Sequence, residues 1–416
     1  MIDINFIRKH VNDVKQAILN RNQHINVDNL LMLDNNRKIL IKKIENLRME
    51  RNQLSKKHFD NYTSISVKVK IIKKQIKEYN NKLLIINKKI MDMLLCMPNL
   101  PDASVPIGSS SKQNKIVKYV NSPKNFLFIP KPHWEIGERL NILDFTTASK
   151  ISGSRFVILK NEGCVLERAI ISFFIDTHKK HGYSEIMAPY LVNKTSMVGT
   201  GQLPKFEDEV FTCTKDNLYL IPTSEVSITN IYRNSILHEY DLPKKYVSYS
   251  ACFRRESGSY GRDTKGLIRN HQFNKVELVK FVKPIDSNTE LDRLLVDAEY
   301  VLQLLNLPYR ISLLSSGDMS FASSKTYDIE VWFASTNTYK EISSCSNFKN
   351  FQSKRMNIKI QYPNKQIDFV HTLNGSGLAV GRTFAALLEY FQNQDGSINI
   401  PEVLQKYTGF RTIPAK

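Results

Sequence analysis

The first proline in the chain is Pro98 and the first glycine is Gly108. A run of about a hundred residues without either backbone breaker lacks the material for tight turns, and long helices are what it can form. Within it, Val69, Ile72, Ile76, Tyr79, Leu83, Ile86, Ile90, Met93 and Met97 recur at steps of three and four. Held over about four heptads, that spacing predicts the apolar seam of a coiled coil. A looser seam precedes it at Leu33, Leu40, Ile44, Leu47 and Leu54, with Arg37 and Arg51 standing in its path. The polar stretch His58 to Ser66 reads as the turn between two antiparallel helices. A helix of ~30 residues rises about 45 Å, so the pair is expected to form an arm that projects beyond a compact domain.

Lys and Arg number 59 against 40 Asp and Glu, a net charge of +19. Between Val27 and Leu100 there are 16 basic and 7 acidic residues, so nearly half of the excess lies on the arm. Lys42, Lys43, Arg48, Lys70, Lys73, Lys74 and Lys77 fall mostly off the seam and are expected to face water. A rod of lysines suits a phosphate backbone, which rewards point charges without sequence readout. The abundance of Lys with Asn and Ile would also follow from an AT-rich genome, and a solvated coiled coil carries charge without binding anything. No apolar run approaches the ~18 residues of a spanning helix, so no membrane partner is expected. The start, Met1 to Val14, alternates charges where a secretory signal would be apolar. Five scattered cysteines with no C-x-x-C indicate neither a disulfide framework nor a zinc site, and a reducing, cytoplasmic setting is expected.

The turn-rich segment Pro98 to Pro132 reads as a boundary, and the texture changes beyond it. Val165, Leu166, Ala169, Ile170, Phe173 and Phe174 have helical spacing. Strand candidates follow at Glu185–Val192, Leu218–Ile221, Tyr246–Phe253, His271–Val282, Tyr327–Phe333 and Thr338–Ile342. Strands this close, separated mostly by loops, predict an α+β domain with an antiparallel sheet and flanking helices.

Absent motifs narrow the chemistry. No G-x-x-x-x-G-K-[ST] phosphate cradle occurs, and Gly375, Gly377 and Gly381 are spaced one residue too widely for a dinucleotide fingerprint. Ser376 is not in a G-x-S-x-G elbow, and His178 with His181 reads as a helix end, not a metal site. What remains is a set of charges in apolar, strand-like surroundings: Glu225, Arg254, Arg255, Glu256, Glu277 and Glu341, with Arg382 closing G-S-G-L-A-V-G-R. Burying one charge without a partner costs several kcal/mol, so their joint presence points to a site for an anionic ligand that also bears an amine. The Gly258–Gly266 stretch reads as a loop able to close over that ligand.

At these residues the chain resembles the bacterial-type seryl-tRNA synthetases, along essentially its whole length. CFRRESGSYGRDTKGLIRNHQF is similar to the second class II motif, HTLNGSGLAVGRT to the third, and GYSEIMAPYLVN, with Pro189, to the first. GTGQLPKFEDE, LIPTSEV and EISSCSN match serine-specific signatures, and the long helical hairpin is a hallmark of the family. The resemblance implies an N-terminal tRNA-binding domain over residues 1–107, with its hairpin at about 27–97, and a class II catalytic domain over 108–416. It implies activation of L-serine with ATP to seryl-adenylate and transfer of the seryl group to tRNA(Ser), and to tRNA(Sec) where the host has one. It also implies a homodimer in which one subunit's arm grips the long variable arm of tRNA(Ser) for the other's active site.

By the same resemblance, Arg254 holds the α-phosphate and the serine carboxylate, Arg382 the γ-phosphate, and Glu256 the adenine amino group, with Phe273 stacked on adenine. Arg255, Ile342 and Ser343 fall in the ATP signature, and Glu341 with Ser344 would bind Mg2+ accompanying ATP. Thr223, Ser224, Glu225, Glu277 and Ser376 match the serine pocket, with the roles of the two glutamates left open. Tyr260 departs from the small residue expected in the loop of the second motif. A non-catalytic tRNA-binding relative is the alternative, disfavoured because the whole charged set is intact.

Overall fold

A computed structural model of the chain describes residues 1–56, 62–257 and 265–416. It divides into two compact units, Ile2–Met97 and Pro98–Lys416.

The first unit is helical: α1 (Ile4–Lys9), α2 (Val11–Asn20), α3 (Val27–Lys56) and α4 (Tyr62–Leu95). Asp3 caps α1, its carboxylate accepting from the Asn5 amide at 2.6 Å. Along α4 the heptad expectation holds residue by residue. Every seam position from Val69 to Met97 is buried or half-buried, and between Ser66 and Asp92 all other positions are exposed. The looser seam of α3 is also inward, and Arg37 and Arg51 are half-buried in line with it. Arg37 is accommodated by charge: it pairs at 2.5 Å with the buried Asp34, which Arg8 also meets at 2.6 Å. Burial alone would raise the Asp34 carboxyl, but the Arg8 hydrogen bond and the charges of Arg37 and Lys38 hold it below the usual range. The turn is expected over 58–66. Tyr62 to Ser66 already belong to α4, whereas 57–61 lie outside the described residues.

The second unit is built on an eight-stranded sheet. Its strands are β1 (Lys115–Val120), β2 (Ser184–Glu185), β3 (Lys244–Phe253), β4 (Gln272–Val282), β5 (Tyr309–Leu313), β6 (Lys325–Phe333), β7 (Thr338–Lys349) and β8 (His371–Ala379). The order is β1-β5-β6-β7-β8-β4-β3-β2, antiparallel throughout except for the parallel pair β2–β3. Helices α5 (Glu162–Lys180), α6 (Ser287–Leu304) and α7 (Val380–Tyr390) bury one face. There Phe173, Phe174, Leu294, Phe384 and Leu387 join Val276, Leu278, Cys345 and Leu373 from the central strands in one core. Alternation along a strand sends neighbouring side chains to opposite faces. Phe273, Lys275 and Glu277 of β4 therefore share the other face with Asn374 and Ser376 of β8 and Ser344 and Ser346 of β7, and that face is hollow.

Gly375 and Gly377, part of the glycine-rich G-S-G-L-A-V-G-R, lie inside the central strand β8. A Cβ at Gly375 would meet Cys345 Sγ at 2.9 Å, and one at Gly377 would meet His178 Nε2 at 2.9 Å. Their role is close approach to the helical layer. Gly377 also falls where the β4–β8 register slips, between the pairs Val276–Leu378 and Glu277–Ser376. That bulge sets Ser376 directly opposite Glu277.

All five cysteines are free. Among the described residues, no helix is long and apolar enough to cross a membrane.

Candidate active site

The hollow face holds two adjoining cavities that share Arg254, Lys275, Glu341 and Ser376. One, of about 250 Å³, is lined by Thr223, Glu225, Arg254, Lys275, Glu277, Glu341, Ser344 and Ser376. The other is lined by Arg254, Glu256, Phe273, Lys275, Glu341, Ile342, Ser376 and Arg382. The sequence had spread these residues over more than 150 positions, and the sheet brings them together.

In the first cavity, Thr223 Oγ1 donates to Glu277 Oε2 at 2.7 Å and accepts from Lys275 Nζ at 2.9 Å and from the Glu225 amide at 3.2 Å. Lys275 is also ion-paired with Glu277. Glu225 opens a short helix, Glu225–Thr229, and its Oε1 accepts from Gln352 Nε2 at 2.5 Å. Gln352 is itself fixed by Thr372, whose hydroxyl donates to it at 2.7 Å. Burial and the nearby charge of Glu277 push Glu225 up to about 7, against the pull of Gln352, Lys275 and Arg254.

In the second cavity, Arg254 donates from Nε to the Pro222 carbonyl at 3.2 Å, and its guanidinium lies 5.2 Å from the Phe273 ring centroid. Arg382, in the first turn of α7, donates to the Glu341 carbonyl at 2.6 Å and pairs with its carboxylate at 3.2 Å. The Glu256 carboxylate meets Arg269 at 3.0 Å, and Arg155 donates to the Glu256 carbonyl at 3.1 Å. Glu341 is half-exposed to the cavity, and although desolvation acts to raise its carboxyl, Arg382, Arg254 and Lys275 together keep it below the usual range.

Three residues assigned to the site turn their side chains elsewhere. Arg255, just past the end of β3, donates to the Val210 carbonyl at 3.0 Å and stacks over Phe211 without lining either cavity. Ser343 donates to the Ser376 carbonyl at 2.6 Å from the covered face of β7, bracing the strand without lining either cavity. Ser224 is buried, and its hydroxyl has no hydrogen-bond partner among the described residues. Tyr260 and most of the Gly258–Gly266 loop lie outside the described residues. The turn that leads into β4 is braced by His133, whose Nε2 accepts from the Leu267 amide at 3.0 Å while Nδ1 meets Glu389 at 2.8 Å.

Sequence reasoning missed Lys275, Arg269 and Gln352. Lys275 sits two residues before Glu277 in a strand, so period-two spacing put it on the same face. Arg269 and Gln352 had no comparable signal, since each reaches its glutamate only through the fold.

An antiparallel sheet presenting paired arginines and acids on one face, helices on the other, is the core of a class II aminoacyl-tRNA synthetase. Residues 206–391 match the family model for the tRNA synthetase class II core domain (G, H, P, S and T), and residues 1–101 match that for the seryl-tRNA synthetase N-terminal domain. The serine--tRNA ligase of Carboxydothermus hydrogenoformans is 49% identical over 424 residues, covering 100% of both chains. That of Caldicellulosiruptor saccharolyticus is 52% identical over 416 residues, covering 98% of this chain and 99% of its own. The crystal structure of seryl-tRNA synthetase from Pyrococcus horikoshii complexed with ATP superposes with a TM-score of 0.94 at 33% identity, covering 100% of each chain. The chain belongs to the seryl-tRNA synthetase family, the serine--tRNA ligases.

Proposed function

We propose that this chain activates L-serine with ATP and transfers the seryl group to tRNA(Ser), with the nucleotide in the Phe273–Arg382 cavity and serine in the Thr223–Glu277 cavity. The observation that carries this reading is Arg254, which lines both cavities and so reaches the carboxylate of one substrate and the α-phosphate of the other. A carboxylate is already a nucleophile, so adenylate formation needs alignment and charge neutralisation more than a base. The serine carboxylate attacks the α-phosphorus and the bond to pyrophosphate breaks. A hydroxyl of the tRNA's terminal ribose then takes the acyl carbon, and AMP leaves. Arg254 holds both groups of the first step, Arg382 meets the γ-phosphate, Glu256 accepts from the adenine amino group, and Phe273 gives adenine a flat face. Ile342 adds an apolar wall.

Glu341 and Ser344 suit Mg2+, which prefers a few hard oxygen ligands beside phosphates and water. The donor set fits. Asp328, opposite Ser344 in the β6–β7 register, keeps a buried oxygen without a hydrogen-bond partner among the described residues. Burial and the charges of Glu341, Glu330 and Asp318 push its carboxyl well up, a repulsion that a divalent cation would relieve. Bound there, Mg2+ would supply charge neutralisation to the phosphates.

Glu225 and Glu277 share the ammonium and hydroxyl of serine. Arrival of an ammonium favours the ionised form of Glu225, so serine binding near pH 6.5 should release up to about one proton. Calorimetry in buffers of different ionisation enthalpy reads that number directly. It should vanish by about pH 8.5 and in Glu225→Gln, and buffer-independent heat at pH 6.5 would remove Glu225 from this role. In stability the sign runs the same way. Glu225 is at home neutral, so its contribution is full below the ordinary carboxyl range and is lost as pH rises through about 7.

The arm carries the tRNA, and the active form is a homodimer in the cytoplasm. ATP–pyrophosphate exchange measured with each of the twenty amino acids tests the substrate. Serine should support it without tRNA, and a stronger response to any other amino acid would overturn the reading.

A further inference from the structure

We propose that Lys275 divides the labour of the two buried glutamates, reserving Glu277 to accept from the substrate hydroxyl and leaving Glu225 as the counter-ion of the substrate ammonium. This rests on the reading of the Thr223–Glu277 cavity as the serine site.

The geometry is restrictive. An ammonium group donates and never accepts, so Thr223 Oγ1, receiving Lys275 Nζ at 2.9 Å and the Glu225 amide at 3.2 Å, has filled its acceptor capacity. Its one proton must then go outward, and it goes to Glu277 Oε2 at 2.7 Å. Thr223 is thereby locked as a relay and has no proton to offer a ligand. Lys275 meets the same carboxylate directly, so Glu277 already has its cation. Thr223 and Lys275 both engage Glu277 Oε2, which leaves Oε1 as an acceptor suited to a hydroxyl donor, in a cavity that Ser376, opposite Glu277 in the β4–β8 register, also lines. Glu225 is placed differently: among the described residues its side chain is hydrogen-bonded to the neutral amide of Gln352 and is in no ion pair, so a ligand ammonium would be its direct counter-ion.

Lys275 is otherwise hard to justify. Its side chain is 8% exposed and that of Glu277 is 1% exposed, and a buried ion pair is commonly no more stabilising than an apolar pair of the same volume. A lysine kept here by its effect on the hydroxyl acceptor has a reason that stability does not provide. A site built to receive a hydroxyl rejects the analogue without one strongly, by up to roughly 10⁴–10⁵-fold. Holding the acceptor in place and aimed is a precondition for that rejection.

The test compares serine with alanine. In exchange assays on the full-length enzyme, the ratio of alanine's inhibition constant to the KM for serine measures what the hydroxyl is worth. Lys275→Met should lower that ratio by about 10- to 100-fold, the worth of one hydrogen bond to a charged acceptor, through a raised serine KM. The KM for ATP should stay within about twofold. Lys275→Arg, which keeps a cation, should retain most of the preference. Thr223→Val removes the relay and keeps the ion pair, so it should lower the ratio by about tenfold even if the methionine variant fails to fold. An unchanged ratio in Lys275→Met or in Thr223→Val, or a KM for ATP that rises in step with that for serine, would overturn the proposal alone. Absence of serine exchange in the unsubstituted enzyme would overturn the reading of the cavity, and the proposal with it.

Discussion

Arg254→Ala should reduce serine-dependent ATP–pyrophosphate exchange by about 10³-fold or more, with the fold intact. Few contacts depend on the side chain: one hydrogen bond to the Pro222 carbonyl and the stack over Phe273. Its position is what counts, since it lines the cavity of the two glutamates, that of Phe273 and Arg382, and a third that shares Thr223 with the first and Glu256 with the second. Removing a single preorganised donor to developing charge typically costs about 10²–10³-fold. Arg254 is proposed to serve two groups at once, the nucleophilic carboxylate and the phosphate it attacks, and among the described residues the other cations near both are already engaged. Lys275 is committed to Glu277 and Thr223, and Arg382 to Glu341. Lysine should rescue little, because a point charge does not reproduce a planar fork. Thermal unfolding within a few degrees of the parent would separate catalytic loss from collapse, and near-normal exchange in the alanine variant would take Arg254 out of its role.

The arm was legible in the sequence almost to the residue, because a solvent-exposed helix pair has only its seam to bury and each seam position announces itself by spacing. The sheet was less so. β3, β4 and β6 were visible as apolar runs, and β7 was cut short at Ile342 because its continuation, SSCSNFK, is polar where it lines the cavity. β8 was hidden by its glycines, which serve close packing against α5 and α6. Glu225, Glu277 and Glu341 could be suspected one by one as charges among apolar neighbours. Their convergence depends on pairings such as Glu277–Ser376, made by segments about a hundred residues apart. Local pattern carries no record of that distance.

Excising residues 41–79 and closing the gap with a short Gly-Ser turn should leave adenylate formation within about threefold while aminoacylation of tRNA(Ser) falls by about 10²-fold or more. The cut is chosen to spare what holds the first unit together. The ion-pair cluster at Asp34 stays, as do the buried Val27, Leu30, Ile90, Leu94 and Met97. What leaves is charge: eleven Lys and Arg against four Asp and Glu, including the exposed Lys42, Lys43, Lys70, Lys73, Lys74 and Lys77. None of the residues that line either cavity is touched, since all lie between Thr200 and Arg382. Serine and ATP therefore meet an unchanged site. A tRNA held by its backbone loses affinity with each phosphate contact, and the slope of log affinity against log salt shrinks by about 0.9 per contact for a duplex. The truncated enzyme should accordingly show both a raised KM for tRNA and a flatter salt dependence. Exchange lost in step with aminoacylation would mean that the arm supports the catalytic unit itself, and an unchanged salt slope would mean that its lysines face no phosphate.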